Sequence, residues 1–353
     1  MEMNDVAKKI IFVADAPLLK GNSDFLKRIF NYEIDKSKFD CLLSELRKLE
    51  KQAIFSIANI VNPKFKVEYL DVTENESIQF KYTNKTIEAL KEDANCVIVL
   101  DRDMLDIDKI SKAGLEEKIN FLDITRTSNG DLVNRFGYNN LQLQIQNIAN
   151  YIIENKKSKI TFVDDVLFSG NTILSIKKGL TPLLKEYSKN KVISYNAIFA
   201  LSIYEELGAG KLSKSDISVS IIAEQKGAKD LVDARDICFG FKNSGRTTEN
   251  GNKSYFLPFG DPSWASIPSE NYEEYSAICI DYSRRFWTEI GKVRGSGVLL
   301  SEFKDNGIAP MPYIPDNEIN INISSVVDIL EQAHLCLSSE EKFNQKKSIN
   351  FME

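Results

Sequence analysis

The alternation of apolar and polar residues divides the chain into readable segments. Residues 8–15, KKIIFVAD, set four consecutive apolar residues between charges, the pattern of a buried strand. Phe39, Leu42, Leu43, Leu46, Ala53, Ile57 and Ile60 recur at the spacing of one helix face, which predicts an amphipathic helix over 38–61 with Ser37 as its N-cap. A strand FKVEYLDV (65–72), a helix near 84–93 and the strongly apolar strand CVIVLD (96–101) follow. Residues 119–137 read as an extended pair around Ser128-Asn129-Gly130, a turn sequence that favours positive φ. Leu141, Ile145, Ile148, Ala149 and Ile152 mark a further helix, which delivers the chain to a strand at 159–164. Next come a helix from about Asn171, disturbed by Gly179 and Pro182, and strands near 191–201 and 216–224.

Strand and helix therefore alternate through the middle of the chain. This predicts an α/β fold, a mainly parallel twisted sheet flanked by helices, with additions at both ends. After about residue 226 the texture changes. FKNSGRTTENGNKS (241–254) is a polar loop, and LPFGDPSWASIPSE (257–270) carries three prolines and a tryptophan. Helical pattern returns at 271–292, and at 324–337 behind Ser324 as a candidate cap. The expected division is an N-terminal α/β extension (1–94), a core (95–225) and a C-terminal extension (226–353).

Composition narrows the chemistry. At 353 residues the chain exceeds one small core. No apolar run is long enough to span a bilayer and the first twenty residues lack a signal-peptide pattern, so the expected address is cytoplasmic, with no membrane partner. Formal net charge is −6, and Lys and Arg are scattered, without the basic stripe of a duplex-binding protein. Cys41, Cys96, Cys238, Cys279 and Cys336 are far apart, form no CxxC pair and read as buried thiols. His334 is the single histidine, so chemistry built on a histidine base has one candidate, on an apparent packing face beside Ala333 and Leu337.

One stretch asks for an explanation. TFVDDVLFSGNTI (161–173) ends an apolar strand on two adjacent carboxylates, then places Ser169, Gly170, Asn171 and Thr172 in one turn before a helix. The carboxyl end of a strand in an α/β sheet is where ligands bind. Gly170 lets backbone amides approach an anion, Ser169 and Thr172 add hydroxyls, and the helix contributes its positive end. Asp164 and Asp165 repel phosphate and suit a neighbouring sugar's hydroxyls instead. Phosphate on one side and diol on the other describe a ribose 5-phosphate. A helix-capping, solvent-facing turn is the structural alternative. No GxxxxGK[ST] is present, and GAGKLS (208–213) lacks the first glycine of that pattern.

ITFVDDVLFSGNTI resembles the signature of type I phosphoribosyltransferases. The resemblance implies that Asp164 and Asp165 hold the ribose hydroxyls of phosphoribosyl pyrophosphate, and that the turn Phe168, Ser169, Gly170, Asn171 and Thr172 holds its 5-phosphate. Phe168 departs from the pattern, standing where many members carry a small or hydroxyl residue. The family's pyrophosphate loop corresponds to Asp101, Arg102 and Asp103, and its closing loop to 119–137, with Arg126 and Arg135 as cations. Mg²⁺ is implied as cofactor, held through the substrate with no direct protein ligand. Phe259 and Trp264, in the region of the family's base-recognising hood, are candidates to stack on a base, with aromatic core packing as the alternative. EQKG (224–227), after the last core strand, also points to the ligand edge.

ARDICFGF (234–241) and YFLPFGDPSWASIP (255–268) resemble the C-terminal region of phosphoribosyltransferase-like proteins of bacterial conflict and retron-type antiphage systems. That implies an effector held by a partner, a reverse transcriptase or a DNA-binding subunit. The alternative to an active transferase or hydrolase is a non-catalytic sensor of a ribose phosphate or nucleotide on the same fold. Acceptor, trigger and oligomeric state stay open.

Overall fold

The computed structural model describes residues 9–14, 29–31, 33–61, 63, 66–71, 76–100, 105–127, 131–134, 138–202, 205–224, 228–229, 237–238, 246–247, 267–299, 301–302 and 322. The chain divides into two compact units. One holds residues 1–70, 230–248 and 252–353, and the other 71–229 with 249–251.

The first unit opens with β1 (Lys9–Ala14), α1 (Lys36–Val61) and β2 (Lys66–Asp71), with β1 and β2 adjacent in one sheet. The apolar face read for α1 is the one that packs: Phe39, Leu42, Leu46, Ala53 and Ile57 are buried, joined by Ile54 and Ala58. Its cap differs from expectation. Asp35, not Ser37, holds the first turn, its Oδ1 accepting from the amides of Ser37 (2.7 Å) and Lys38 (3.3 Å) and from the Ser37 hydroxyl. A carboxylate accepts several donors at once, which a single hydroxyl does less well.

The second unit begins with α2 (Glu76–Lys91), β3 (Asn95–Val99) and the short α3 (Ile107–Lys112). It continues through β4 (Ile119–Phe121), β5 (Ile124–Thr127), β6 (Leu132–Asn134) and α4 (Leu141–Glu154). Then come β7 (Lys159–Leu167), α5 (Asn171–Leu183), α6 (Lys185–Ser188), β8 (Ser194–Ser202), α7 (Glu205–Ser213) and β9 (Ile217–Glu224). The chain returns to the first unit as α8 (Tyr272–Arg294). There α8 packs along α1, burying Cys279, Phe286, Trp287 and Ile290 against Leu46, Ile54 and Ile57.

Five strands of the second unit form one sheet in the order β4-β3-β7-β8-β9, every neighbouring pair parallel. This is the mainly parallel α/β architecture that the alternation predicts. One sheet face is covered by α4 and α5, through Ile145, Ile148, Ile152, Ile173, Ile176 and Leu180 packed on Ile98, Ile160, Phe162, Ala197 and Phe199. The other carries α2. Burial on both faces explains why β3 and β7 read as unbroken apolar runs and not as alternating ones.

The expected pair over 119–137 resolves into two structures. β4 joins the main sheet beside β3, and only β5 and β6 form an antiparallel hairpin, in the register Ile124↔Asn134 and Arg126↔Leu132. Between them, the Leu122 amide donates to the Val99 carbonyl (3.0 Å) and the Asp123 amide to Gln144 Oε1 (2.8 Å). The chain therefore bends away from the main sheet at 122–123. The pattern of α5 continues through Gly179, and Pro182 falls in its last turn, after which α6 restarts in a new short helix.

Candidate functional site

Strand order marks where a ligand crevice is expected in an open parallel sheet. From β3 the chain steps outward to β4, and from β7 it steps the other way to β8 and β9, so the connections diverge between β3 and β7. The carboxyl ends of strands beside such a reversal part from each other and leave a crevice. The last residues of β7 are Asp164, Asp165, Val166 and Leu167.

Both aspartates are half-buried at the strand end, between buried Val163 and buried Val166. Each anchors the backbone next to it. The Asp165 amide donates to Asp164 Oδ1 (3.1 Å), and the Val166 amide donates to Asp165 Oδ1 (2.6 Å). These bonds hold two like charges in fixed positions at the point where pairing with β3 ends, Val99↔Val163 being the last pair in register.

The turn after β7 runs through Phe168, Ser169 and Gly170. Gly170 has φ +70° and ψ 1°, the left-handed conformation that a Cβ disfavours, and from it α5 starts at Asn171 without a side-chain cap. The first amides of a helix have no intrahelical acceptor. The Asn171 amide makes only a long contact with Ser169 Oγ, 3.4 Å. Such a helix start, preceded by a glycine and a serine, presents N–H groups and partial positive charge to an anion. Phe168 is 38 % exposed, so its ring is not sunk into the core behind the turn.

The turn is backed by α7, a helix whose sequence carries little amphipathic pattern. Leu212 is fully buried beneath Gly170; a Cβ on that glycine would lie 2.9 Å from Leu212 Cγ. Gly208 lies so close that a Cβ there would meet the Phe168 carbonyl oxygen at 2.3 Å. Lys211, exposed on the same helix, donates from Nζ to Asn171 Oδ1 at 2.5 Å. Two glycines in one helix, a helix pattern without a stripe and a lysine next to them are the sequence signals of this close approach, in the GAGKLS segment that fits no nucleotide motif. Further along, α5 is pinned by Lys177, which donates to the Ser215 carbonyl at 2.5 Å and lies 4.4 Å from the Tyr195 ring centroid.

Asp164, Asp165, Phe168, Ser169, Gly170, Asn171 and Thr172 thus share one strand end, turn and helix start. Arg126 has its backbone in β5, opposite Leu132. Asp101, Arg102, Asp103, Arg135, Phe259, Trp264, Ser324 and His334 lie outside the described residues. Among the described residues, no group of three or more His, Cys, Asp or Glu side chains is placed to hold a metal ion. Two neighbouring carboxylates are too few to cage Mg²⁺. No helix among those described is long and apolar enough to cross a membrane.

A cavity of about 230 Å³ opens elsewhere, beneath α2 against the first halves of β7, β8 and β9, lined by Lys85, Glu92, Lys159, Asn196 and Ser218. Its cations are already paired, Lys159 with Glu92 (2.8 Å) and Lys85 with Glu88 (3.2 Å), and it lies toward the amino ends of the strands. The carboxyl-end turn is therefore the stronger candidate.

No protein-family model matches the chain, and no curated protein matches it. Among solved structures, it is similar to orotate phosphoribosyltransferase from Aeropyrum pernix, at 17 % identity and a TM-score of 0.27 over 45 % of this chain and 79 % of that one.

Proposed function

We propose that the chain binds phosphoribosyl pyrophosphate, or a related ribose 5-phosphate, at the carboxyl end of β7, and that it transfers or hydrolyses the phosphoribosyl group with Mg²⁺. The observation that carries this reading is the juxtaposition of two backbone-anchored carboxylates with an uncapped helix start behind a left-handed glycine. A pentose with its phosphate matches that sequence of charges: hydroxyls donate to Asp164 and Asp165, and phosphate accepts from the turn and from the first amides of α5.

In such a reaction the bond from ribose C1 to pyrophosphate oxygen breaks, and a bond from C1 to a base nitrogen or to water forms. The bonding electron pair leaves with pyrophosphate, while positive charge builds on the sugar ring. Asp164 and Asp165, on the sugar side, favour that cation and orient the ring, so no strong side-chain nucleophile is needed. Bound Mg²⁺ supplies charge neutralisation on the departing pyrophosphate. From the resemblance of 234–241 and 255–268 to antiphage effectors we further infer that this activity serves a defence complex with a reverse transcriptase or DNA-binding partner.

The test is pyrophosphate release from phosphoribosyl pyrophosphate with Mg²⁺ across a panel of bases and water. Wild-type protein is expected to turn over, and Asp164→Asn with Asp165→Asn to lose about 100-fold or more in rate. Wild-type protein that neither binds nor consumes the compound overturns the proposal. One observation favours a second reading, a sensor without turnover: Phe168 supplies no hydroxyl at the turn. Saturable binding of phosphoribosyl pyrophosphate without pyrophosphate release identifies that case.

A further inference from the structure

We propose that Lys211, on α7, is the cation of the phosphate-binding turn and sets the preference of the site for a phosphorylated sugar. The inference rests on the ribose 5-phosphate reading above and adds a residue which that reading does not contain.

Three observations carry it. First, α7 and the turn are built to touch. Gly208 and Gly170 each leave the space that a side chain would fill, one against the Phe168 carbonyl and the other against Leu212. That close approach delivers an exposed residue of α7, Lys211, to the start of α5. Second, that residue is a lysine whose Nζ is 2.5 Å from Asn171 Oδ1, on the first residue of α5. An ammonium has three donors, and the amide oxygen takes one. Lys211 forms no ion pair with a carboxylate among the described residues. Third, Phe168 brings no hydroxyl to the turn, which leaves its neutral side-chain donors few. A charge-assisted bond from an ammonium to a phosphate oxygen is about twice as strong as a neutral one, and it offsets that loss.

The Asn171 side chain then acts as a holder. Its oxygen keeps the ammonium at the turn when no anion is present. An arriving phosphate takes up one of the remaining donors or displaces the weaker neutral acceptor. Because the Lys211–Asn171 bond is exposed, removing it costs the fold little.

The experiment compares wild-type protein with Lys211→Met, Lys211→Arg and, as a control for net charge, Lys214→Met, an exposed lysine just past α7. Affinity for ribose 5-phosphate is measured by calorimetry at low and at physiological salt, with inorganic phosphate as competitor, and thermal midpoints are recorded for all four proteins. Lys211→Met is expected to weaken ribose 5-phosphate about tenfold or more. It should also flatten the salt dependence and leave the thermal midpoint unchanged. Lys211→Arg should retain most of the affinity, and Lys214→Met all of it. If wild-type protein binds and Lys211→Met binds equally well, the inference is wrong while the ribose-phosphate reading stands. Equal weakening by Lys214→Met also overturns it, because net charge then accounts for the effect. If wild-type protein shows no binding, both fail together.

Discussion

Gly208 offers a test of how tightly α7 is seated on the turn. In an exposed helix interior, replacing glycine by alanine stabilises by about 1 kcal/mol, because alanine restricts the unfolded chain and suits the helix. At Gly208 the added Cβ would lie 2.3 Å from the Phe168 carbonyl oxygen and 3.0 Å from Leu167 Cδ1. The first contact is about 0.7 Å inside the 3.0 Å that real Cβ atoms keep, and its partner is backbone, which cannot rotate aside. Overpacking of this kind costs about 1–3 kcal/mol. Set against the propensity gain, Gly208→Ala should be destabilising by roughly 1 kcal/mol. Gly210, on the same helix, has nothing within 4 Å of its would-be Cβ. Gly210→Ala should therefore stabilise by up to about 1 kcal/mol, and the two variants should differ by roughly 2 kcal/mol. Trp287 is buried in the core of the first unit, so its fluorescence does not report on α7 and the turn. The measurement is urea unfolding followed by hydrogen exchange in peptides covering 159–183. If Gly208→Ala is as stable as Gly210→Ala, α7 does not press on the turn, and the role drawn for Lys211 loses its geometric basis.

Two further outcomes follow from polar groups away from the turn. Gln144 accepts from the Asp123 amide and donates to the Asp123 and Asn139 carbonyls (2.8, 3.2 and 2.6 Å). Gln144→Leu should cost about 1–3 kcal/mol in urea unfolding, since buried backbone groups lose their partners, and a change under about 0.5 kcal/mol would contradict the clamp. Burial pushes the Cys96 thiol up to about 12. The folded state then keeps a proton that the unfolded state releases above pH 9, so stability should fall by roughly 1 kcal/mol per pH unit between pH 9 and 12. Comparison of the alkaline unfolding slope with that of Cys96→Ala checks this, a slope unchanged by the substitution being the contrary result.

What the sequence made legible follows from how local each cause is. The strand, paired acids, turn and helix start of 159–173 are contiguous, so their order could be read directly, and their fold is fixed by bonds between neighbours such as Asp165 to Asp164. The face of α1 was legible for the same reason: Phe39, Leu42 and Leu46 repeat at helical spacing and are buried together. The alternation of β4 with β5 misled, because an apolar–polar pattern cannot register that Leu122 pairs with Val99 and that Asp123 is caught by Gln144 from a distant helix. α7 was not legible. Its nine residues contain two glycines and only Leu207, Ala209 and Leu212 as apolar positions, so neither propensity nor periodicity marks it. Its packing on Gly170 and Leu167 is a tertiary cause. The order of strands, which places β7 at the reversal of connections, is likewise a non-local property.

The charges around the turn argue for the kind of ligand it can take. On the strand side stand two carboxylates that cannot move apart, each tied to a backbone amide. On the helix side stand the first amides of α5 and the ammonium of Lys211. An isolated phosphate is attracted by one half of this arrangement and repelled by the other, and a bare divalent cation meets the same conflict in reverse. A molecule whose phosphate and whose hydroxyl groups are separated by the width of one pentose relieves both at once, since the hydroxyls donate where the phosphate would be repelled. On the reading we propose, the polarity of the turn favours a phosphorylated sugar over either of its fragments. The Lys211 ammonium on the helix side strengthens that preference without touching the sugar.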